Sequence, residues 1–211
     1  MYTVDDFIRT EIEEKVLPAL REIEEIYQEI VEEWSSKLGV PRPRVLVTMQ
    51  NIDECKCSEV CESDDACRLV TGEYYPDTAT ILLNYRSTLD TLLHLYVHHI
   101  QCVQVGVEKF KQIREAERLR LPWSLRPTEI RAVALSKRLY NTLCTQRVIK
   151  LWTDYVKSKI KTLDETYSKV RGIVKTALLQ SMPYAQTRDL MKRLVTSRDD
   201  RAWTGKDTDR L

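Results

Sequence analysis

The chain has three histidines, and all lie within six residues, at positions 94, 98 and 99. His94 and His98 are four apart. On an α-helix that spacing stacks two side chains on one face, one turn apart. Two imidazoles so placed can reach a single ion, and Zn²⁺ is their usual guest. His99 lies well around the helix from the pair, which suits a packed or supporting residue better than a ligand. Six cysteines are the second store of chemistry. Cys55, Cys57, Cys61 and Cys67 fall within thirteen residues, spaced C-x-C-x₃-C-x₅-C. Four thiolates can close a tetrahedral zinc site, and two disulfides can staple the same loop. Zinc knuckles more often use C-x₂-C pairs, so the spacing leaves zinc, disulfides and free thiols all open.

The surroundings of the histidine pair carry a resemblance. Gly72–Asn84 (GEYYPDTATILLN) reads as a hairpin, Thr88–Gln101 as the helix that holds both histidines, and Arg126–Ala132 (RPTEIRA) as the start of a later helix. In this order residues 72–136 resemble the core of a zincin metallopeptidase. There an edge-strand hairpin precedes a helix bearing H-E-x-x-H, and a glutamate from a later helix is a third ligand. The resemblance implies a metal site of His94, His98 and Glu129 with zinc as cofactor. It also implies a departure, because Leu95 occupies the general-base position of the motif, HLYVH in place of HExxH. Leucine moves no proton, and losing general-base assistance forfeits on the order of 10²–10⁴-fold in rate. Tyr96 points another turn-fraction around the helix and is a poor base. The expected protein is a catalytically impaired zincin that keeps a zinc site and a cleft used for binding. An active zinc hydrolase with an unusual base and a basic, nucleic-acid-binding helical protein on the same scaffold are the alternatives. If the triad converges, Cys102, one turn past His98, and Cys144, fifteen past Glu129, are expected to be able to meet as an interhelical disulfide. The other reading is two buried, inert thiols.

The elements that must position these groups follow from periodicity. Apolar residues recur at helical spacing from Phe7 to Trp34, predicting a helix over 5–38 that Pro18 bends or breaks. Arg44–Gln50, Arg68–Tyr75 and Thr80–Asn84 read as strands, with the four-cysteine loop 53–67 between the first two. A helix follows from Ser87, its candidate N-cap, to about Val105, then another over Val107–Arg120. Thr128 is a candidate cap for a long helix from Glu129 to about Lys161. Further helices are predicted from Thr162 to about Ser181 and over Thr187–Val195, before a flexible tail from 196. The fold class expected is α+β, mostly α, in a single domain over 1–195. It has a small sheet of about three strands, metal-site helices over 87–161 and C-terminal helices over 162–195.

Composition narrows the partners. Five glycines, seven prolines and 31% charged residues point to a helix-rich protein. The net charge of +1 hides an asymmetry: residues 1–38 hold 4 basic and 11 acidic side chains, residues 108–211 hold 24 and 12. Lys157, Lys159, Lys161, Lys169, Arg171 and Lys175 are the best candidates for touching nucleic acid, unless the acidic first helix cancels them. An apolar stripe from Leu139 to Leu179 suits a core or a homodimer seam. A protein or peptide partner is expected in the cleft. No run reaches the ~18 apolar residues of a membrane span, and no h-region opens the chain, so the expected location is cytoplasmic with no membrane partner. Six cysteines and the Glu, Lys and Arg content suit a heat-adapted source, such as a thermophilic archaeon or its virus acting in an infected host cell.

Overall fold

The computed structural model describes residues 4–49, 52–53 and 69–179. Cys55, Cys57, Cys61 and Cys67, the helix expected over 187–195 and the tail from 196 lie outside them. The chain divides into two compact units, one of residues 20–160 and one of the two ends, up to residue 19 and from residue 161. The described part is mostly helical with a small mixed sheet, as the periodicity predicts.

The predicted first helix is two: α1 (Val4–Glu11) and α2 (Leu17–Leu38), joined by one π-helical turn at Ile12–Val16. Pro18 has no N–H to give the Glu14 carbonyl and its ring crowds that carbonyl. The chain widens just before it, and the Leu17 N–H bonds back to the Ile12 carbonyl instead. Within the unit of the two ends, Ile8, Val16, Leu163 and Val170 are buried. Glu11 is buried there too, bonded to Lys15 at 2.8 Å and Lys169 at 2.9 Å.

In the larger unit the core forms around the inner face of α2, where Ile23, Tyr27, Ile30, Val31 and Trp34 are fully buried. Strands β1 (Arg44–Thr48), β4 (Gly72–Tyr75) and β5 (Thr80–Asn84) make a three-stranded sheet in the order β1-β5-β4. β5 runs parallel to β1, with Leu46 opposite Leu82, and antiparallel to β4, with Tyr74 opposite Ile81. β5 is buried along its whole length, which is why Ile81-Leu82-Leu83 reads as a continuous apolar run. α2 covers the outer edge of β1: the Gln28 side-chain oxygen accepts from Val45 N–H at 2.8 Å and Glu24 from Val47 N–H at 3.1 Å. The strand predicted over 68–75 is split. β3 (Leu69–Val70) pairs with β2 (Ile52–Asp53) in a separate two-stranded ladder. At the junction the Thr71 carbonyl is taken by Asn84 N–H and by the Ser87 hydroxyl.

Helices α3 (Leu89–Val105), α4 (Val107–Arg120) and α5 (Pro127–Leu143) follow, with a short 3₁₀ turn at Trp123–Leu125 between the last two. The helix expected from Glu129 to Lys161 does not run through. The backbone leaves the helix at Cys144 (φ −85°, ψ 64°), and Thr145 caps a new one, α6 (Gln146–Leu151). The cause is tertiary: the Trp34 indole donates to the Leu143 carbonyl at 2.8 Å, supplying a partner that the next helical turn would otherwise provide. After a second π turn at Trp152–Val156, α7 (Lys157–Leu179) continues through Thr162, where a boundary was expected. Part of the basic surface is neutralised as the acidic first helix permits. Within the larger unit Glu22 pairs with Lys159, and Glu29 and Glu33 with Arg147. No helix among the described residues is long and apolar enough to cross a membrane.

Candidate metal centre

Two helix starts position the centre, and neither uses the residue expected. Thr88, not Ser87, caps α3: its hydroxyl oxygen accepts from Thr91 N–H at 3.2 Å, while Ser87 is fully buried and bonded to Thr71. At the far end Gly106 adopts φ 87°, a conformation open to glycine, and its N–H closes on the Cys102 carbonyl. α5 begins with Pro127 in its first turn, where a missing N–H costs nothing. Thr128 lies inside that turn rather than capping it. Its N–H and its hydroxyl both go to the Glu117 carboxylate of α4. Glu117 thus does a cap's work and puts a negative charge at the helix N-terminus.

These constraints bring His94, His98 and Glu129 together. His94 Nε2 lies 3.1 Å from Glu129 Oε2, His98 Nε2 lies 3.0 Å from the same oxygen, and the two nitrogens are 3.2 Å apart. Among the described residues this is the one group of three or more His, Cys, Asp or Glu side chains so arranged. Ligands ~2.0–2.1 Å from a tetrahedral ion stand about 3.3 Å from each other, so the triangle has close to the size such an ion requires. His98 and Glu129 are buried, at 1% and 3% exposure, and His94 is part exposed at 21%, so the triad opens to solvent on the His94 side. The Trp123 ring flanks that side, 6.3 Å from the His94 ring.

The hydrogen-bond network decides which His98 nitrogen carries the proton. Gln101 donates its side-chain N–H to the Thr128 carbonyl at 3.1 Å, which turns its oxygen toward His98 Nδ1 at 2.9 Å. A carbonyl oxygen there requires Nδ1–H. In the neutral imidazole Nε2 is then a bare lone pair, aimed at a carboxylate oxygen 3.0 Å away. Two acceptors in contact repel unless a proton or a cation lies between them. Burial lowers the His98 pKa and outweighs the pull of Glu129 toward the charged form, so a second proton on His98 is disfavoured, and what joins the two acceptors is either an N–H of His94, whose Nε2 lies 3.1 Å from the carboxylate, or a cation. Burial by itself would raise the Glu129 carboxyl, but the His94 hydrogen bond and the Arg114 guanidinium beside it hold it well below the usual range. Arg114, on α4, takes the other carboxylate oxygen, Oε1, at 3.3 Å and leans over the Phe110 ring. One oxygen of Glu129 is therefore committed to Arg114, and Oε2 alone faces the histidines.

The other candidates have different roles. Leu95 is buried, and its Cδ1 lies so close over Gly72 that a Cβ built on that glycine would stand 2.6 Å from it. Tyr96 packs against Trp34 and shares a hydrogen bond with Ser35, 3.1 Å; burial raises its pKa, and it is no base. His99 is a structural pin. Its Nε2 donates to the Pro41 carbonyl at 2.7 Å, so Nδ1 accepts from the Tyr74 hydroxyl at 3.0 Å. Cys102 and Cys144 are both buried and both free, and the bridge considered for them is not formed. α3 and α5 are antiparallel: Thr128 at the start of α5 meets Gln101 near the end of α3, while Asp90 in the first turn of α3 acts electrostatically on Cys144. Asp90 and Cys102 are twelve residues apart, about 18 Å along a helix, far beyond the ~7 Å between α-carbons that a disulfide spans. Sequence reasoning missed Gln101, Arg114 and Glu117. Gln101 has a visible signal, since it follows His98 by three and shares its face; Arg114 and Glu117 have none.

Comparison with known protein families, curated proteins and solved structures gives no match to this chain.

Proposed function

We propose that this protein is a zincin-like pseudoenzyme that holds zinc between His94, His98 and Glu129 and uses the cleft around it to bind a protein or peptide rather than to cut one. The observation that carries the reading is the convergence of His94 Nε2, His98 Nε2 and Glu129 Oε2 within 3.0–3.2 Å of one another, with the Gln101 oxygen on the far nitrogen of His98, a triangle that fits a cation. The order of elements supports the zincin part: an edge-strand hairpin, β4–β5, leads into the helix with both histidines, and the carboxylate comes from a later helix. Bound there, zinc would supply a Lewis-acid position. Leu95 supports the loss of peptidase chemistry, because it packs on Gly72 and offers no site for a proton. Glu117, the nearest acid on α4 to the start of α5, is committed to Thr128. Elemental analysis of purified protein tests the reading, comparing wild type, His94→Ala/His98→Ala and a variant lacking Cys55, Cys57, Cys61 and Cys67. About one zinc per chain, lost with the histidines and kept without the four cysteines, is expected. No metal in the wild type, or metal lost only with the cysteines, refutes the site. Chelator-sensitive cleavage of a peptide library by the wild type would refute the pseudoenzyme.

A further inference from the structure

The corner between α4 and α5 carries a surface beside the metal centre, which meets it only at the Trp123 ring, 6.3 Å from the His94 ring. Of the large hydrophobic side chains exposed among the described residues, Leu119, Trp123, Leu125, Ile130 and Val133 cluster in this one stretch, with Leu119, Leu125 and Ile130 each more than half exposed. The same stretch, residues 118–138, holds six Lys or Arg and a single acid, Glu129, which is buried in the metal triad. Arg118 is paired with Glu115. Arg120, Arg131, Lys137 and Arg138 are exposed and pair with no acid among the described residues. Trp123 and Leu125 stand on a one-turn 3₁₀ tip set between Pro122 and Pro127, closed by Leu125 N–H to Pro122 at 3.0 Å and Arg126 N–H to Trp123 at 3.2 Å. The turn leaves Trp123 and Leu125 exposed to solvent.

We propose that this corner docks on the surface of an anionic lipid membrane, the Trp123–Leu125 tip entering the interface and the arginines around it meeting lipid phosphate and carboxylate. Hydropathy along the chain speaks only to spans; lying on a surface needs no more than an apolar wedge with a basic rim. Tryptophan favours the headgroup level, and arginine can lie beside the apolar tip while its guanidinium reaches the headgroups. Basic side chains are drawn to anionic leaflets within a Debye length. Nucleic acid would be served by the charges and by Trp123, but four exposed aliphatic side chains have nothing to offer a phosphate backbone. A turn joining two helices projects outward, which suits a deformable phase better than a folded groove. The proposal does not depend on zinc.

The test is sedimentation of the full-length protein with vesicles of phosphatidylcholine alone and of phosphatidylcholine with about 30% phosphatidylserine, at about 0.1 M salt. Binding to the anionic vesicles only, weakening as salt rises, is expected. Trp123→Ser/Leu125→Ser should lower the partition coefficient about tenfold or more, and Arg120→Gln/Arg131→Gln several-fold with a shallower salt dependence. All four positions lie on the surface, and circular dichroism matching the wild type shows that the variants fold. His94→Ala/His98→Ala should bind as the wild type does, which separates failure here from failure of the metal reading. Three results overturn the proposal: no sedimentation with anionic vesicles, sedimentation unchanged by the tip variant, or binding to a single-stranded oligonucleotide with none to vesicles.

Discussion

Gln101 gives the sharpest test of the metal centre, because its removal should weaken the loaded protein and leave the unloaded one nearly unchanged. In the wild type its oxygen accepts His98 Nδ1–H at 2.9 Å and its N–H goes to the Thr128 carbonyl at 3.1 Å. Gln101→Leu removes both bonds, each worth about 0.5–1.5 kcal/mol net. It also frees His98 to put its proton on Nε2, where it meets Glu129 Oε2 at 3.0 Å. A hydrogen bond to a charged group is worth about 1.5–3 kcal/mol. In the metal-free protein, losses and gain are of similar size, so the stability measured by urea should change by no more than about 1 kcal/mol. In the loaded protein that compensation is absent, since Nε2 is the ligand atom. Loss of a supporting partner of this kind lowers metal affinity about 10–100-fold, or about 1.4–2.8 kcal/mol. Competition with a chromophoric chelator measures the affinity, and urea unfolding with and without zinc measures the two stabilities. Gln101→Glu keeps the acceptor for His98 Nδ1–H but loses the N–H to Thr128, and should hold zinc more tightly than Gln101→Leu does. Unchanged zinc affinity in Gln101→Leu, or a loss of stability without zinc as large as with it, would refute the tautomer argument.

Three further outcomes are expected. Gly72→Ala would place a Cβ 2.6 Å from Leu95 Cδ1 and 2.9 Å from the Leu82 carbonyl oxygen, and should cost about 1–3 kcal/mol by urea unfolding. Combined with Leu95→Ala the cost should be less than the sum of the two, and strict additivity would show that the contact does not govern it. Burial first, and Asp90 second, push the Cys144 thiol up to about 11, so at pH 8 about one in a thousand is ionised. Peptide mass spectrometry after alkylation of the native protein should find Cys144 almost unmodified and unbridged to Cys102; rapid labelling at pH 8 contradicts the burial. Glu11 is held below the usual carboxyl range by hydrogen bonds from Lys15 and Lys169, against the opposing effect of burial. A carboxyl lowered by folding adds stability that is full above its unfolded pKa and is lost as pH falls through its folded value. The stability gap between wild type and Glu11→Gln should therefore be widest near neutral pH and shrink as pH drops below about 4.5; a gap constant from about pH 3 to 7 refutes the ion pairs.

Most of what periodicity can reach is in the structure. The α2 stripe from Leu20 to Trp34 is the buried face of a helix, and Thr80–Asn84 is a strand buried on both sides. The boundary errors have non-local causes. Nothing between Glu129 and Lys161 is a glycine or proline, so no local signal opposes one long helix. It ends at Leu143 because an indole from residue 34 takes its carbonyl. Glu117 replaces Thr128 as the cap for the same kind of reason, a carboxylate delivered from the preceding helix.

The triad and the cysteine pair separate what a helical-face argument can do from what it cannot. Spacing gives azimuth: His94, His98 and Cys102 share one side of α3, and Glu129 and Cys144 nearly share one side of α5. Azimuth is enough to let Glu129 reach the histidines if the helices are neighbours. It says nothing of the direction in which the second helix runs or of height along the first. Antiparallel packing satisfies the triad near the start of α5 and carries Cys144 toward Asp90, the end of α3 opposite Cys102. Height rules the bridge out whichever way α5 runs: Cys144 lies fifteen residues past Glu129, about 22 Å along a helix, while Cys102 lies four past His98, about 6 Å, so the triad and the bridge could not both form. The antiparallel turn brings α4 alongside, with Arg114 and Glu117 one turn apart to brace Glu129 and its neighbour Thr128. The centre is therefore a property of three helices, of which the sequence motif displays one and a fragment of another.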